Sequence, residues 1–383
     1  MAAALEFQQV SKTYPGSDEP AIQSLSFEVP AGDICVLVGP SGCGKTTTMR
    51  MVNRMVSITS GEILLDGRSV LDRKAYELRR EIGYTIQQIG LFPHETVAAN
   101  IATVPKLLGW PKDRISDRVH ALLDMFSLPQ DMAGRYPAQL SGGQRQRVGV
   151  ARALASDPSI MLMDEPFGAI DPITRGRLQN EFLRLQGELR KTIVFVTHDI
   201  DEAIKMGDRI AVLKKGGVLA QYATPAELLL APVDAFVEDF VGADRALKRL
   251  ALLRVRDVDL WKAPRVRPGD PVAQAQEQVA DSDLPYSLLI DADGRPLGWL
   301  SDRDLAGERV PDEAGTAATP RLDQDSVLRD ALAELLEEDT QYGPVVDERG
   351  TVIGVLSIEL IAQFLASKDP RELDPPERAG VEP

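Results

Sequence analysis

The stretch ICVLVGPSGCGKTT, residues 34–47, decides the fold of this chain. Five apolar residues, Ile34 to Val38, read as a buried strand, a Gly-rich turn follows, and Lys45-Thr46-Thr47 starts a helix. Gly39, Gly44, Lys45 and Thr46 satisfy G-x-x-x-x-G-K-[ST], the spacing of a phosphate-binding loop. Its glycines let backbone N–H groups turn inward around phosphate oxygens, and the helix start adds partial positive charge. Pro40, Ser41, Gly42 and Cys43 complete the cradle and Thr47 closes it. Lys45 reaches the β- and γ-phosphates, and the Thr46 hydroxyl ligates Mg²⁺. The bland alternative, an ordinary Gly-rich βα turn, lacks a reason for the Lys-Thr pair. Cys43 reads as the filler of a variable loop position rather than as a nucleophile.

Other signals extend the site along the chain. Residues 5–29 alternate apolar and polar around Tyr14-Pro15-Gly16 and read as two hairpin-like strands. Tyr14, at the end of the first, either stacks on an adenine or packs on its own sheet. A helix over about 45–56, a strand over Gly61–Asp66 and a strand from Ile82 ending in Gln87-Gln88 follow. Residues 95–150 look mainly helical, as an insertion between strands of a nucleotide core. At Leu140 to Gln144 stands LSGGQ, running into a helix whose positions 148, 151, 154 and 155 are apolar. Ser141 is a natural N-cap, and Gly142 and Gly143 leave open N–H groups, a second anion site with Gln144 beside it. The run IMLMDE, residues 160–165, is an apolar strand ending in two carboxylates. Asp164 is placed to hold Mg²⁺ through water, and Glu165 to activate an attacking water. A strand over Ile193–Thr197 delivers His198 to the same sheet edge.

Together these motifs resemble the ATP-binding subunit of an ABC transporter, over roughly residues 5–242. The resemblance implies an α/β fold, a P-loop NTPase core with a helical subdomain at about 95–155, binding ATP and Mg²⁺. It makes Tyr14 the adenine-stacking aromatic and Lys45, Glu165, His198 and Gln87 the catalytic set. Gln87 is the loop glutamine that touches Mg²⁺ and senses the membrane subunit. Asp171, in GAID, is similar to the aspartate linking two active sites, although family members more often read Leu than Ile170. In the family two subunits sandwich ATP between the loop of one copy and Ser141–Gln144 of the other, so a homodimer is implied. The segment after Gln87 then lines the groove for a helix of a separate permease subunit.

The C-terminal part repeats. Residues 286–305, YSLLIDADGRPLGWLSDRDL, align with 342–361, YGPVVDERGTVIGVLSIELI, at an offset of 56. Each copy reads strand, Asp-x-x-Gly turn, strand, helix. A helix with one apolar face (Val327, Leu328, Ala331, Leu332, Leu335, Leu336) precedes the second copy. This is similar to a tandem CBS α+β module, with a linker at 243–252, the first copy at 253–309, the second at 316–367 and a disordered tail at 368–383. Such modules often bind an adenine nucleotide through Ser/Thr-x-x-Asp, which Ser301 and Asp304 keep and Ser357-Ile358-Glu359-Leu360 does not. A purely structural pair stands beside that reading.

An ABC ATPase with a CBS pair resembles the importers of glycine betaine, carnitine and choline, as do IQQIGLFPH (86–94) and DRALKRL (244–250). The resemblance implies ATP hydrolysis driving uptake of a quaternary amine delivered by a substrate-binding protein, with the CBS pair regulating through ionic strength or a cyclic dinucleotide. An importer for an amino acid such as proline, or a soluble ABC ATPase switch outside transport, are the alternatives.

Bulk properties agree. The formal charge is −15, and residues 250–383 hold 14 Lys+Arg against 28 Asp+Glu, leaving the first 249 near neutral. The break near 250 marks a domain junction, and the acidic balance argues against nucleic acid. No run of 18 apolar residues occurs, the N-terminus does not read as a signal peptide, and the two cysteines fit a reducing compartment. The expected place is peripheral, on the cytoplasmic face of the inner membrane.

Overall fold

In a computed structural model, which describes residues 3–85, 90–168, 170, 172–280, 282 and 284–366, Ile34–Val38 is a strand with every residue buried. Continuous apolar runs suit strands covered on both faces by helices; Ile34–Val38, Ile160–Asp164 and Thr192–Val196 are such runs, each buried throughout. They become the middle of a sheet in the first of two compact units, Met1–Gly242.

In that unit the chain runs β1 (Ala3–Lys12), β2 (Ile22–Pro30), β3 (Ile34–Val38), α1 (Lys45–Val52), β4 (Ser60–Leu65), β5 (Arg68–Ser69), α2 (Ala75–Glu81) and β6 (Ile82–Thr85). A helical stretch follows: α3 (Val97–Ile101), α4 (Thr103–Leu107), α5 (Lys112–Met125) and α6 (Gly142–Leu154). Then come β7 (Ile160–Asp164), α7 (Pro172–Leu189), β8 (Thr192–Val196), α8 (Ile200–Met206), β9 (Arg209–Lys214), β10 (Val218–Ala223), α9 (Pro225–Leu230) and α10 (Ala235–Val241). One sheet has the order β10-β9-β3-β8-β7-β6, and a second the order β2-β1-β4-β5. In the first, β9, β3, β8, β7 and β6 are parallel and β10 is the antiparallel edge. Parallel strands put all their C-terminal ends on one side, where the loops after β3, β7 and β8 gather. That edge is where open α/β sheets bind ligands.

In the helical stretch, Asn100 is fully buried and organises the loop before it. Its Oδ1 accepts from Phe92 N at 2.8 Å, and its Nδ2 donates to the carbonyls of Phe92, Glu95 and Thr96 at 3.0–3.1 Å.

The second unit, Ala243–Pro383, contains α11 (Arg245–Leu250), β11 (Arg265–Val266), α12 (Val272–Ala280), β12 (Ser287–Ile290), β13 (Pro296–Leu300), β14 (Thr316–Ala317), β15 (Leu322–Asp323), α13 (Leu328–Glu337), β16 (Tyr342–Val346), β17 (Val352–Ser357) and α14 (Ile358–Ala366). Its two sheets, β11-β12-β13-β14 and β15-β16-β17, repeat one register: Leu288↔Trp299 and Leu289↔Gly298 in the first, Pro344↔Val355 and Val345↔Gly354 in the second. These pairs coincide at the 56-residue offset. The repeated glycines have a steric reason, since a Cβ on Gly298 would lie 2.2 Å from Ala314 Cβ and one on Gly354 2.7 Å from Leu260 Cβ.

Three details differ from the sequence reading. The first copy has only turns over Ser301–Ala306 where the second has α14. Gly307 follows closely, too soon for a helix to recover its nucleation cost. Residues 243–252 are no simple tether: they hold α11, and Leu250, Leu253 and Val255 sit in the core with Leu335, Val345 and Leu356 of the second copy. On α13, Leu328, Ala331 and Leu335 are buried while Leu336 is 62% exposed. The expected tail at 368–383 lies outside the described residues.

Candidate functional site

The loop after β3 needs its glycines. Gly39 has φ 148°, and a Cβ there would meet the Leu213 carbonyl at 2.2 Å. Gly44 has φ 99°, and its Cβ would meet Ile22 Cδ1 at 2.4 Å. Both sit where side chains cannot go, which lets the backbone curl into a cradle. Lys45 is buried, and its Nζ donates to the carbonyls of Gly39 (2.7 Å) and Pro40 (3.1 Å). The ammonium is therefore held over the loop.

A cleft of about 790 Å³ opens here, lined by Tyr14, Gly39, Pro40, Ser41, Gly42, Gly44, Lys45, Thr46, Thr47, Glu165, His198, Ala21 and Phe240. Most of the expected nucleotide residues thus share one wall system. Tyr14 is 41% exposed, with its hydroxyl 3.2 Å from Thr47 Oγ1 and the Lys12 ammonium 5.1 Å from its ring centre. Cys43 departs from the cleft: its thiol is buried beneath the loop, 3.7 Å from Lys45 Nζ.

Two carboxylates arrive at the C-terminal end of β7. Asp164, its last residue, is buried, and Thr46 Oγ1 donates to its Oδ1 at 3.2 Å. Burial holds the Asp164 carboxyl above its usual range and the Glu165 charge adds to this, against the Thr46 hydrogen bond and the Arg50 and Lys45 charges. Glu165 takes φ 44° and donates its N–H to the Val196 carbonyl at 2.9 Å. This left-handed turn costs a non-glycine residue about 1 kcal/mol. It accompanies a side chain that enters the cleft with Oε1 3.2 Å from His198 Nδ1. With its proton on Nδ1 the imidazole donates to that carboxylate.

A Mg²⁺ ion suits this donor set. It takes hard oxygens, keeps several waters and uses one or two protein ligands beside phosphate oxygens. The Thr46 hydroxyl and the Asp164 carboxylate supply such a pair. Among the described residues no group of three or more His, Cys, Asp or Glu forms an all-protein metal site.

The LSGGQ stretch lies apart from this cleft. Ser141 and Gln144 form a capping box at the start of α6: Gln144 N donates to Ser141 Oγ at 3.3 Å, and Ser141 N donates to Gln144 Oε1 at 2.9 Å. With Gly142, Gly143, Arg147 and Thr174 they line a second cleft of about 400 Å³. One chain therefore places the two motifs in separate clefts. Gln87 and Asp171 lie outside the described residues. In the second unit, Ser301 Oγ and N both donate to Asp304 Oδ2 at 2.7 Å, which lowers the Asp304 pKa.

Two residues near the site have no linear motif. Arg175, on α7, donates to the Ile170 carbonyl at 3.1 Å and lies 3.9 Å from the Asp199 carboxylate, joining the loop before α7 to the cap of α8. Phe240, on α10, lines the same cleft as Lys45 and Glu165. Their placement comes from tertiary packing, so spacing alone could not have found them.

Comparison with known proteins fits this geometry. The family model described as ABC transporter matches residues 22–168, and the CBS domain model matches 255–310 and 320–367. The osmoprotectant import ATP-binding protein OsmV of Salmonella typhimurium is 47% identical over 91% of this chain and 91% of its own length. The glycine betaine/carnitine/choline transport ATP-binding protein OpuCA of Bacillus subtilis is 41% identical over 92% and 94%. Among solved structures, the dimeric ATP-binding cassette MJ0796 in a post-hydrolysis state with ADP and Pi is 33% identical. It superposes with a TM-score of 0.51 over 58% of this chain and 98% of its own.

Proposed function

Because the chain belongs to the family of ATP-binding subunits of ABC importers for quaternary-amine osmoprotectants, we propose a working arrangement in which the cleft over β3 and β7 holds ATP and its residues divide the hydrolysis. The chain is an ATP hydrolase whose reaction drives uptake, and glycine betaine, carnitine and choline, the substrates in its relatives' names, are the cargo. The observation that carries this is the meeting of Lys45, Thr46, Glu165 and His198 in one cleft, with Asp164 bonded to Thr46.

In this reading the adenine rests on Tyr14 and the phosphates enter the cradle. Their oxygens replace the Gly39 and Pro40 carbonyls as partners of the Lys45 ammonium. Thr46 and Asp164 hold Mg²⁺, which neutralises charge on the β- and γ-phosphates when bound. Glu165 accepts a proton from the water that attacks the γ-phosphorus, while the bond from that phosphorus to the β–γ bridging oxygen breaks and ADP leaves. His198 orients the Glu165 carboxylate. Family subunits pair and act with permease partners. The Ser141–Gln144 half-site of a second copy completes each ATP site, and Gln87 and Asp171 report its state. A substrate-binding protein delivers the cargo. Among the described residues no helix is long and apolar enough to cross a membrane. As a subunit of a membrane transport system, the chain sits peripherally beneath its permease, on the cytoplasmic face. The C-terminal unit regulates it, with Ser301 and Asp304 as the contacts for an adenine or cyclic dinucleotide.

The test is uptake of labelled glycine betaine at low and high osmolarity, in cells lacking this gene and complemented with wild type or Lys45→Ala. Wild type should restore uptake that rises with osmolarity, and Lys45→Ala should restore none. Failure of the wild type, with ATP still hydrolysed by the purified protein, would move the cargo to another compound class.

A further inference from the structure

One side chain lining the nucleotide cleft, that of Phe240 on α10, belongs to none of the motifs read from the sequence. The helix is seated by an aliphatic face, with Val237 and Val241 fully buried. On another face Phe236 and Phe240 stack at 6.1 Å with 15° between their planes. Its start is pinned to the sheet. Asp234 Oδ1 accepts from Val237 N at 3.0 Å, Lys214 forms an ion pair with Asp234 at 2.6 Å, and the Lys214 ammonium lies 5.2 Å from the Phe236 ring centre. Lys214 is the last residue of β9, which pairs with β3 at Val38↔Val212. The carbonyl of its neighbour Leu213 is the group against which Gly39 packs. The strand that shapes the phosphate loop therefore also sets the position of the Phe240 ring.

A half-buried phenyl ring offers nothing to a triphosphate, whose oxygens need N–H donors and cations. The portion of a nucleotide that an aromatic ring recognises is the base, through its π face. We infer that Phe240 contacts the nucleobase and sets ATP affinity, as a second aromatic wall to the cleft that already holds Tyr14. The inference rests on the reading of this cleft as the ATP site. It makes that site depend on α10, the last element of the first unit.

The experiment uses the full-length protein and two ligands, ATP and inorganic tripolyphosphate, with dissociation constants from calorimetry. Phe240→Ala and the bulk-preserving Phe240→Leu should each bind ATP about tenfold more weakly. Both should hold tripolyphosphate as wild type does, with an unchanged unfolding midpoint. Phe240→Trp should keep ATP affinity, and its added indole emission should change on ATP but not on tripolyphosphate. Equal weakening toward both ligands would reduce Phe240 to a prop for the loop and overturn the inference, as would unchanged ATP affinity in both the Ala and Leu variants. A failure of the cleft itself reads differently: Lys45→Ala would then bind ATP as tightly as wild type.

Discussion

In the proposed arrangement Asp164 carries a conflict between stability and function that one substitution separates. Burial holds its carboxyl above the ordinary range, so the folded chain binds more protons than the unfolded chain between the two pKa values. Stability then falls as pH rises through that window and stays lowered at neutral pH, where the buried carboxylate is charged. Asp164→Asn keeps an acceptor for Thr46 and removes the charge. The nucleotide-free variant should unfold at a higher temperature than wild type at pH 7, with the gain shrinking toward pH 4, while ATP hydrolysis falls by about 100-fold or more. Scanning calorimetry at the two pH values checks the first claim. Glu165→Gln separates differently: ATP affinity should persist while kcat drops by about 10²–10⁴, and equal turnover would remove Glu165 as the base. The placement of these residues was legible because it follows from local spacing, an apolar strand ending in two carboxylates. Phe240 and Arg175 were not, because their positions depend on where α10 and α7 pack.

The start of α6 shows how, in the proposed arrangement, one element would serve two purposes. The hydroxyl of Ser141 and the carboxamide of Gln144 both satisfy backbone N–H groups of the helix, so the signature also acts as a cap. Ser141→Ala should destabilise the protein by about 1 kcal/mol and lower hydrolysis as well. Ser141→Asn, a good cap of different shape, should recover the stability and leave hydrolysis low; denaturant titration beside an ATPase assay distinguishes the two roles. Recovery of both would mean that Ser141 acts only as a cap. At this scale β3, β7 and β8 were plain in the sequence, since five consecutive buried residues leave no periodicity to misread. The turns at Ser301–Ala306 were misread as a helix because the repeat aligned them with Ser357–Ala362, where the helix Ile358–Ala366 begins. Only the second segment has the apolar length, with Leu360 and Ile361 buried, to pay for a helix.

Across the whole molecule, the cradle and the LSGGQ signature occupy separate clefts, and in the proposed arrangement a chain that carries one of each does not close a site on itself. In that arrangement hydrolysis is therefore a property of pairs. Two inactive variants should therefore complement each other. Lys45→Ala has lost its cradle and keeps its signature, whereas Ser141→Arg keeps its cradle and blocks its signature. In a homodimer of either, both composite sites are broken. In a mixed dimer one site is broken twice, and the other joins an intact cradle to an intact signature. Equal mixing with random exchange makes about half the dimers mixed, each with one working site of two. If sites turn over independently the mixture should then recover roughly a quarter of wild-type activity, and specific activity should fall on dilution as dimers dissociate. A mixture as inactive as its components, with mixed dimers demonstrated by mass spectrometry, would mean that the two sites must fire together. Measurable activity in either variant alone would refute the shared site.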